Sequence, residues 1–262
     1  MEQKQSVRAR LNSGEPVIGS WLNSGSPIIG ELMANAGFDF ITVDAEHSAV
    51  DLGETQLIFQ AIRSGNPRTE AFVRLHGVDY ALTKRYLDAG ATGIIAPLVV
   101  SADQARLIIQ ACKYPPLGKR GVGFCRANKY GMDVEAHYKS ANEEILVAVQ
   151  IEDIEAVANI DDILAVEGID AAFIGPYDLS ASMGITGDFE HPDFIAARNE
   201  ILASCKRNGV TPGIHVVQPN PKQAINRLRD GFQLLAYSLD ITMVLNTCLA
   251  GLSEIRAGST GK

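Results

Sequence analysis

An alternation limits most strongly what this chain can become. Eight short apolar runs, rich in β-branched residues, lie at 17–22, 38–43, 71–75, 93–96, 145–151, 171–174, 209–216 and 232–236. Longer amphipathic stretches separate them, at 27–36, 54–63, 81–89, 102–113, 153–165, 192–208, 221–229 and 241–257. The apolar runs are mostly continuous, as in strands buried on both faces of a helix-covered parallel sheet. Several stretches carry helix punctuation. Ser26 before Pro27 reads as an N-cap followed by proline, Gly37 ends that stretch, Ser101 caps the fourth and Asn208-Gly209 closes the sixth. Eight units in 262 residues take about 33 residues each, the proportion of one (β/α)8 barrel. A doubly wound open sheet is the competing architecture. No Pro/Ser linker or shift in composition interrupts the chain, so 1–262 is expected to form a single (β/α)8 barrel domain.

Composition excludes some functions. With 46% hydrophobic residues the chain can bury a large core, and its net charge of −8 disfavours a nucleic-acid partner. No apolar run reaches the length of a membrane span, and the polar stretch from Met1 to Arg10 does not read as a signal peptide. Cys112, Cys125, Cys205 and Cys248 are far apart with no C-x-x-C pair. That argues against a zinc site or a disulfide framework, and for a reducing cytoplasm.

A barrel carries its chemistry where strands end and the following loops begin. Asp44-Ala45-Glu46-His47 follows the second run. A histidine beside carboxylates suits a general base, although Asp44 or Ser48 could equally cap a helix. Arg74 ends the third run, where a guanidinium can stabilise a carboxylate or a developing oxyanion, or simply pair with a barrel acid. Asp88 sits near a helix C-terminus, mildly against the dipole. Gln150-Ile151-Glu152-Asp153 follows the fifth run and Gly175-Pro176-Tyr177-Asp178 the sixth. Carboxylates at adjacent strand ends, with no His or Cys close by, suit a hard divalent cation with oxygen ligands; alternatively, they open the next helices.

Three absences in the pattern matter too. The loop Gly118-Lys119-Arg120-Gly121-Val122-Gly123 matches neither nucleotide-binding glycine pattern, so no nucleotide is expected; it reads as a basic lip or a flexible connection. No lysine ends an apolar run, so no Schiff-base lysine is expected. Carbonyl chemistry here would therefore lean on a metal. There is no G-x-S-x-G elbow.

Taken together, DAEH (44–47), VRLHG (73–77), YLDAGATGIIAP (86–97), GKRGVG (118–123), VQIED (149–153) and FIGPYDLSASMG (173–184) resemble the HpcH/HpaI aldolases. These are class II pyruvate aldolases of the phosphoenolpyruvate/pyruvate barrel superfamily. The resemblance spans roughly positions 15 to 240. It implies a divalent cation (Mg2+, Mn2+ or Co2+) held by Glu152 and Asp178, a base at His47 made more basic by Asp88, and a transition-state arginine at Arg74. It also implies substrate contacts from Gln150, Tyr177 and Asp178. Many members carry Ala where this chain has Tyr177, whose ring is expected to narrow or reshape the pocket that selects the aldehyde. The implied reaction is reversible cleavage of a 4-hydroxy-2-oxo acid, either a 2-keto-3-deoxy sugar acid or a 4-hydroxy-2-oxoheptanedioate, to pyruvate and an aldehyde. The resemblance further implies a swapped C-terminal helix, for which 241–257 is the candidate, and a homohexamer built as a trimer of dimers. A citryl- or malyl-CoA-type lyase and a non-catalytic barrel that binds a small acid are the alternatives.

Overall fold

Eight parallel strands close into a barrel in chain order: β1 (Val17–Leu22), β2 (Phe40–Asp44), β3 (Glu70–Arg74), β4 (Gly93–Ala96), β5 (Leu146–Ile151), β6 (Ala171–Ile174), β7 (Thr211–Val216) and β8 (Leu234–Leu239), which pairs back with β1. This computed structural model describes residues 5–259. Residues 1–4 of the polar N-terminal stretch lie outside that range. The closed barrel bears out the (β/α)8 expectation and rules out the open sheet.

The barrel interior closes because large and small residues face each other across paired strands. Gly19 is in register with Phe40, Gly93 with Phe72 and Gly213 with Phe173. A Cβ on Gly19 or Gly93 would stand 2.4 Å from the facing phenyl ring, and one on Gly213 2.6 Å. The three rings, with Ile95, Leu146 and Ala148, fill the barrel and leave its upper end to polar groups.

The outer ring comprises α2 (Pro27–Asn35), α3 (Leu52–Gly65), α4 (Tyr80–Ala89), α5 (Ala102–Cys112), α7 (Ile154–Ala158) with α8 (Ile160–Leu164), α10 (Pro192–Asn208) and α11 (Pro221–Arg229). Ser26 and Ser101 accept from Ile29 and Gln104 N–H as N-caps, and Gly209 ends α10 at φ 67°. The single helix expected over 153–165 is broken at Asn159, whose side-chain amide donates to the Val100 carbonyl at 2.9 Å. Three further α-helices lie outside this ring, two of them in the connections. α6 (Val134–Glu144) precedes β5 and α9 (Pro176–Ser182) follows β6. α1 (Val7–Asn12) plugs the bottom of the barrel with buried Val7 and Leu11, while Arg8 and Arg10 pair with Asp170 and Asp39 at 2.7 and 2.5 Å.

The last helix, α12 (Asp240–Ser259), behaves differently. Only Asp240 on it is buried; Ile241, Val244, Leu245, Leu249, Leu252 and Ile255 are all exposed. No helix among the described residues is long and apolar enough to cross a membrane.

Candidate active site

The strand ends build the site from β2 and β3 outward. Asp44 and Arg74 are the last residues of their strands and lie in register. Arg74 donates through Nε to Asp44 Oδ1 at 2.9 Å and through Nη2 to Oδ2 at 2.7 Å, a two-point fork. Asp44 also accepts from the Asn23 side-chain amide at 2.6 Å and from the Glu46 and His47 backbone N–H groups. Burial alone would raise its pKa, but the Arg74 fork and these donors outweigh burial and hold the carboxyl below its ordinary value. The remaining guanidinium nitrogen, Nη1, lies 3.1 Å from Glu46 Oε2. Below the guanidinium lies the Trp21 ring, 4.3 Å from Cζ to centroid, and His215 stacks on that indole at 4.9 Å and 9°.

These groups face a cleft of about 140 Å3 lined by Trp21, His47, Arg74, Gln150, Asp178 and His215, with Tyr177 and Val217 at its side. His47 stands in the loop after β2 with its side chain 63% exposed and its Nε2 3.8 Å from Glu46 Oε2. Tyr177 and Asp178 come from the first turn of α9, and Gln150 from β5.

Glu152 lies behind the cleft, buried, where its Oε1 accepts the Leu98 N–H at 2.8 Å and its Oε2 meets the Gln150 amide. Leu98 reaches it from a left-handed backbone, φ 52°, a strained conformation for a branched side chain. Gly175 permits this packing, because a Cβ there would stand 2.7 Å from both Glu152 Oε2 and Gln150 Nε2. Burial, reinforced by the charges of Asp178 and Glu46, pushes the Glu152 carboxyl up to about 7. Burial also raises Glu46, against the pull of Arg74. Three carboxylates therefore feel one another at this end of the barrel.

The donor chemistry fits a hard divalent cation. Two carboxylates, Glu152 and Asp178, act on each other electrostatically, and the buried Gln150 Oε1 has no hydrogen-bond donor. Among the described residues no three His, Cys, Asp or Glu side chains form a closed cage. A cation held by the two carboxylates would keep positions for water and substrate, as magnesium-type sites do.

Two placements differ from the sequence pattern. Within the single chain, Asp88 is not brought to His47. It lies in the last turn of α4, at the opposite end of the barrel, and takes Arg120 Nη2 at 2.8 Å. Arg120 is fully buried and stacks on Tyr114 at 4.7 Å, so it forms no basic lip; only Lys119 of that pair is exposed. Lys113 is a buried lysine whose pattern gave no sign of it. Its Nζ donates to the Asn142 and Ile145 carbonyls at 2.8 and 2.6 Å, at the barrel's lower end. Sequence reasoning also passed over Trp21 and His215. The signal for the second was available: a lone histidine inside an otherwise apolar strand.

A profile of the HpcH/HpaI aldolase/citrate lyase family matches residues 17–247. The chain belongs to this family. A hydroxypyruvate/pyruvate aldolase of Roseobacter denitrificans is 35% identical over 244 residues, covering 92% of this chain and 93% of that protein. A 4-hydroxy-2-oxo-heptane-1,7-dioate aldolase of Escherichia coli is 36% identical over 259 residues, covering 98% and 97%. The crystal structure of an HpcH/HpaI aldolase from Desulfitobacterium hafniense superposes with a TM-score of 0.90 at 33% identity over 96% of each chain. As a member of the HpcH/HpaI family the chain is a carbon–carbon lyase of the aldolase type.

Proposed function

We propose that the chain is a divalent-cation-dependent aldolase that splits a 4-hydroxy-2-oxo acid to pyruvate and an aldehyde and runs the reverse condensation. The observation that carries this reading is the convergence of Arg74, His47, Gln150 and Asp178 on one cleft at the C-terminal strand ends, with Glu152 buried behind it. The names of the two relatives agree with it. Glu152 and Asp178 are the residues that would hold Mg2+, Mn2+ or Co2+. When bound, such a cation polarises the 2-oxo group and offsets negative charge on its oxygen.

The chain's own groups supply the rest. Arg74, locked by Asp44, presents a fixed positive charge to the oxygen on which charge builds as the carbon–carbon bond breaks. Gln150 and the backbone N–H groups of Tyr177 and Asp178 orient the substrate carboxylate. His47, free on the cleft rim, takes the proton of the 4-hydroxyl, directly or through water. Asp88 lies at the opposite end of its own barrel from His47, so the Asp88 that assists a given His47 would be that of a second chain.

The exposed apolar face of α12 supports an assembly in which this helix packs on another subunit, in line with a hexamer of three dimers. The four cysteines are free, which supports a cytoplasmic location. The deciding experiment follows pyruvate release from 4-hydroxy-2-oxo acids after exhaustive chelation and after adding back each cation. Full activity without any cation would sink the reading.

A further inference from the structure

His215 is a polar side chain of the cleft that the reaction described above does not use. It projects from β7 and stacks on Trp21, its ring lining the cleft beside Arg74. Its Nε2 lies 3.1 Å from the Ser238 backbone carbonyl oxygen. A carbonyl only accepts, so Nε2 carries the proton, and in the neutral ring Nδ1 is left as an acceptor. Burial pushes the imidazole down to about 4, which keeps the ring neutral. Nδ1 has no hydrogen-bond partner among the described residues, and it is not among the side-chain atoms sealed off from solvent.

The surroundings restrict what this lone pair can serve. An anionic group would meet the lone pair and be repelled. A cationic group would meet the Arg74 guanidinium, which lines the same cleft and packs on the same indole. A neutral hydroxyl satisfies Nδ1 without either conflict. The cleft holds about 140 Å3, so a hydroxyl within reach of His215 sits close to the reacting carbon. Beyond the cleft, Pro176, Tyr177, His215 and Val217 also wall a side chamber of about 180 Å3, which gives the rest of such a molecule somewhere to extend.

We infer that His215 is a specificity residue whose Nδ1 accepts a hydrogen bond from a hydroxyl on the carbon next to the aldehyde. The enzyme therefore favours α-hydroxyaldehydes over unsubstituted ones. This rests on the aldolase reading above and narrows its aldehyde class. An unsubstituted aldehyde leaves the acceptor dry and unpaired, which costs about a factor of ten in the specificity constant.

The test measures kcat/KM for condensation of pyruvate with glycolaldehyde and with acetaldehyde, in the cation-loaded wild type and in His215→Phe, which keeps a flat ring against Trp21 but has no acceptor. A parallel wild-type measurement follows deuterium exchange into the pyruvate methyl group. The expected result is a roughly tenfold preference for glycolaldehyde in the wild type, falling to near unity in the variant. A wild type that turns over both aldehydes without preference overturns the inference alone, whatever the variant does. So does a preference that His215→Phe leaves intact. A wild type that neither exchanges pyruvate protons nor condenses either aldehyde overturns the aldolase reading and this inference with it.

Discussion

Arg74 and Asp44 end adjacent strands in register and meet through two parallel hydrogen bonds of 2.9 and 2.7 Å. The fork fixes the plane of the guanidinium over Trp21 and leaves Nη1 for Glu46 and the cleft. A lysine would keep the charge but lose both the plane and the second tooth. Arg74→Lys is therefore expected to lower kcat by about 100-fold, the usual effect of losing one oriented charge-stabilising donor. KM for the oxo acid should change far less. Steady-state kinetics check this, and a lysine variant within threefold of wild type would remove Arg74 from the chemistry.

The partner tells a different story. Asp44 is fully buried and gathers five donors, so its loss leaves a buried cation with only Glu46 to balance it. Asp44→Asn should cost about 3 kcal/mol of stability as well as activity. Urea denaturation measures the first, and an unchanged midpoint would contradict it.

Glu152 makes the metal-free protein sensitive to pH. Its folded pKa of about 7 lies above the ordinary 4.5, so between those values the folded state holds a proton that the unfolded state has released. Its contribution to stability therefore falls as pH rises through that window and is fully unfavourable above 7. A cation binds the deprotonated form and relieves the repulsion from Asp178 and Glu46. The rise in melting temperature on adding Mn2+ is expected to be larger at pH 8 than at pH 6. In Glu152→Gln both the pH slope and the response to Mn2+ should shrink. Thermal shift curves at the two pH values decide it; equal shifts in wild type and variant would place the cation elsewhere.

Asp88, half-buried, pairs with the fully buried Arg120 at the far end of the barrel. Arg120 Nη2 reaches Asp88 at 2.8 Å, while its Nε and Nη1 are buried without hydrogen-bond partners. Asp88→Asn should destabilise the chain by about 3 kcal/mol by leaving that cation uncompensated. Asp88→Asn combined with Arg120→Met should recover part of the loss, because the long apolar side chain can still lie on Tyr114. If the double variant is no more stable than the single one, the pair is not the reason for the loss. A fall in activity that persists in the recovered double variant would mark a role for Asp88 beyond its pairing.

The strands were legible because strands of a closed parallel barrel are apolar along their whole length; β1, β4 and β6 fall where the pattern puts them. Strand ends were legible for the same reason: Arg74 ends β3, Glu152 directly follows β5, and Asp178 lies in the first turn of the helix after β6. What the pattern hid depends on contacts far apart in sequence. α1 reads as a polar tail because it carries only Val7 and Leu11 inward and turns Arg8 and Arg10 onto acids from other units. Arg120 looked like an exposed lip because nothing local reveals that Asp88 and Tyr114 enclose it. Asp44 was visible as a candidate, but its role as the anchor of Arg74 appears only once β2 and β3 lie side by side.

The last helix gives the final prediction. α12 buries only Asp240 and leaves six apolar side chains open, among them Val244, Leu245, Leu249 and Leu252 at helical spacing. A monomer rarely exposes such a continuous face, and each of these side chains gains about 1.5 kcal/mol or more when removed from water. On α2 and α3, Ile28, Leu32 and Leu57 are exposed as well, so an apolar surface is present on the barrel too. A carboxylate placed in the middle of the α12 face would have to be desolvated without a partner. Leu249→Asp is expected to convert the assembly to smaller species at micromolar concentration, with the circular dichroism of the barrel retained. Light scattering coupled to size-exclusion chromatography reads the mass directly. A wild type that already runs as a monomer, or a variant that keeps the wild-type mass, would show that α12 does not hold the subunits together.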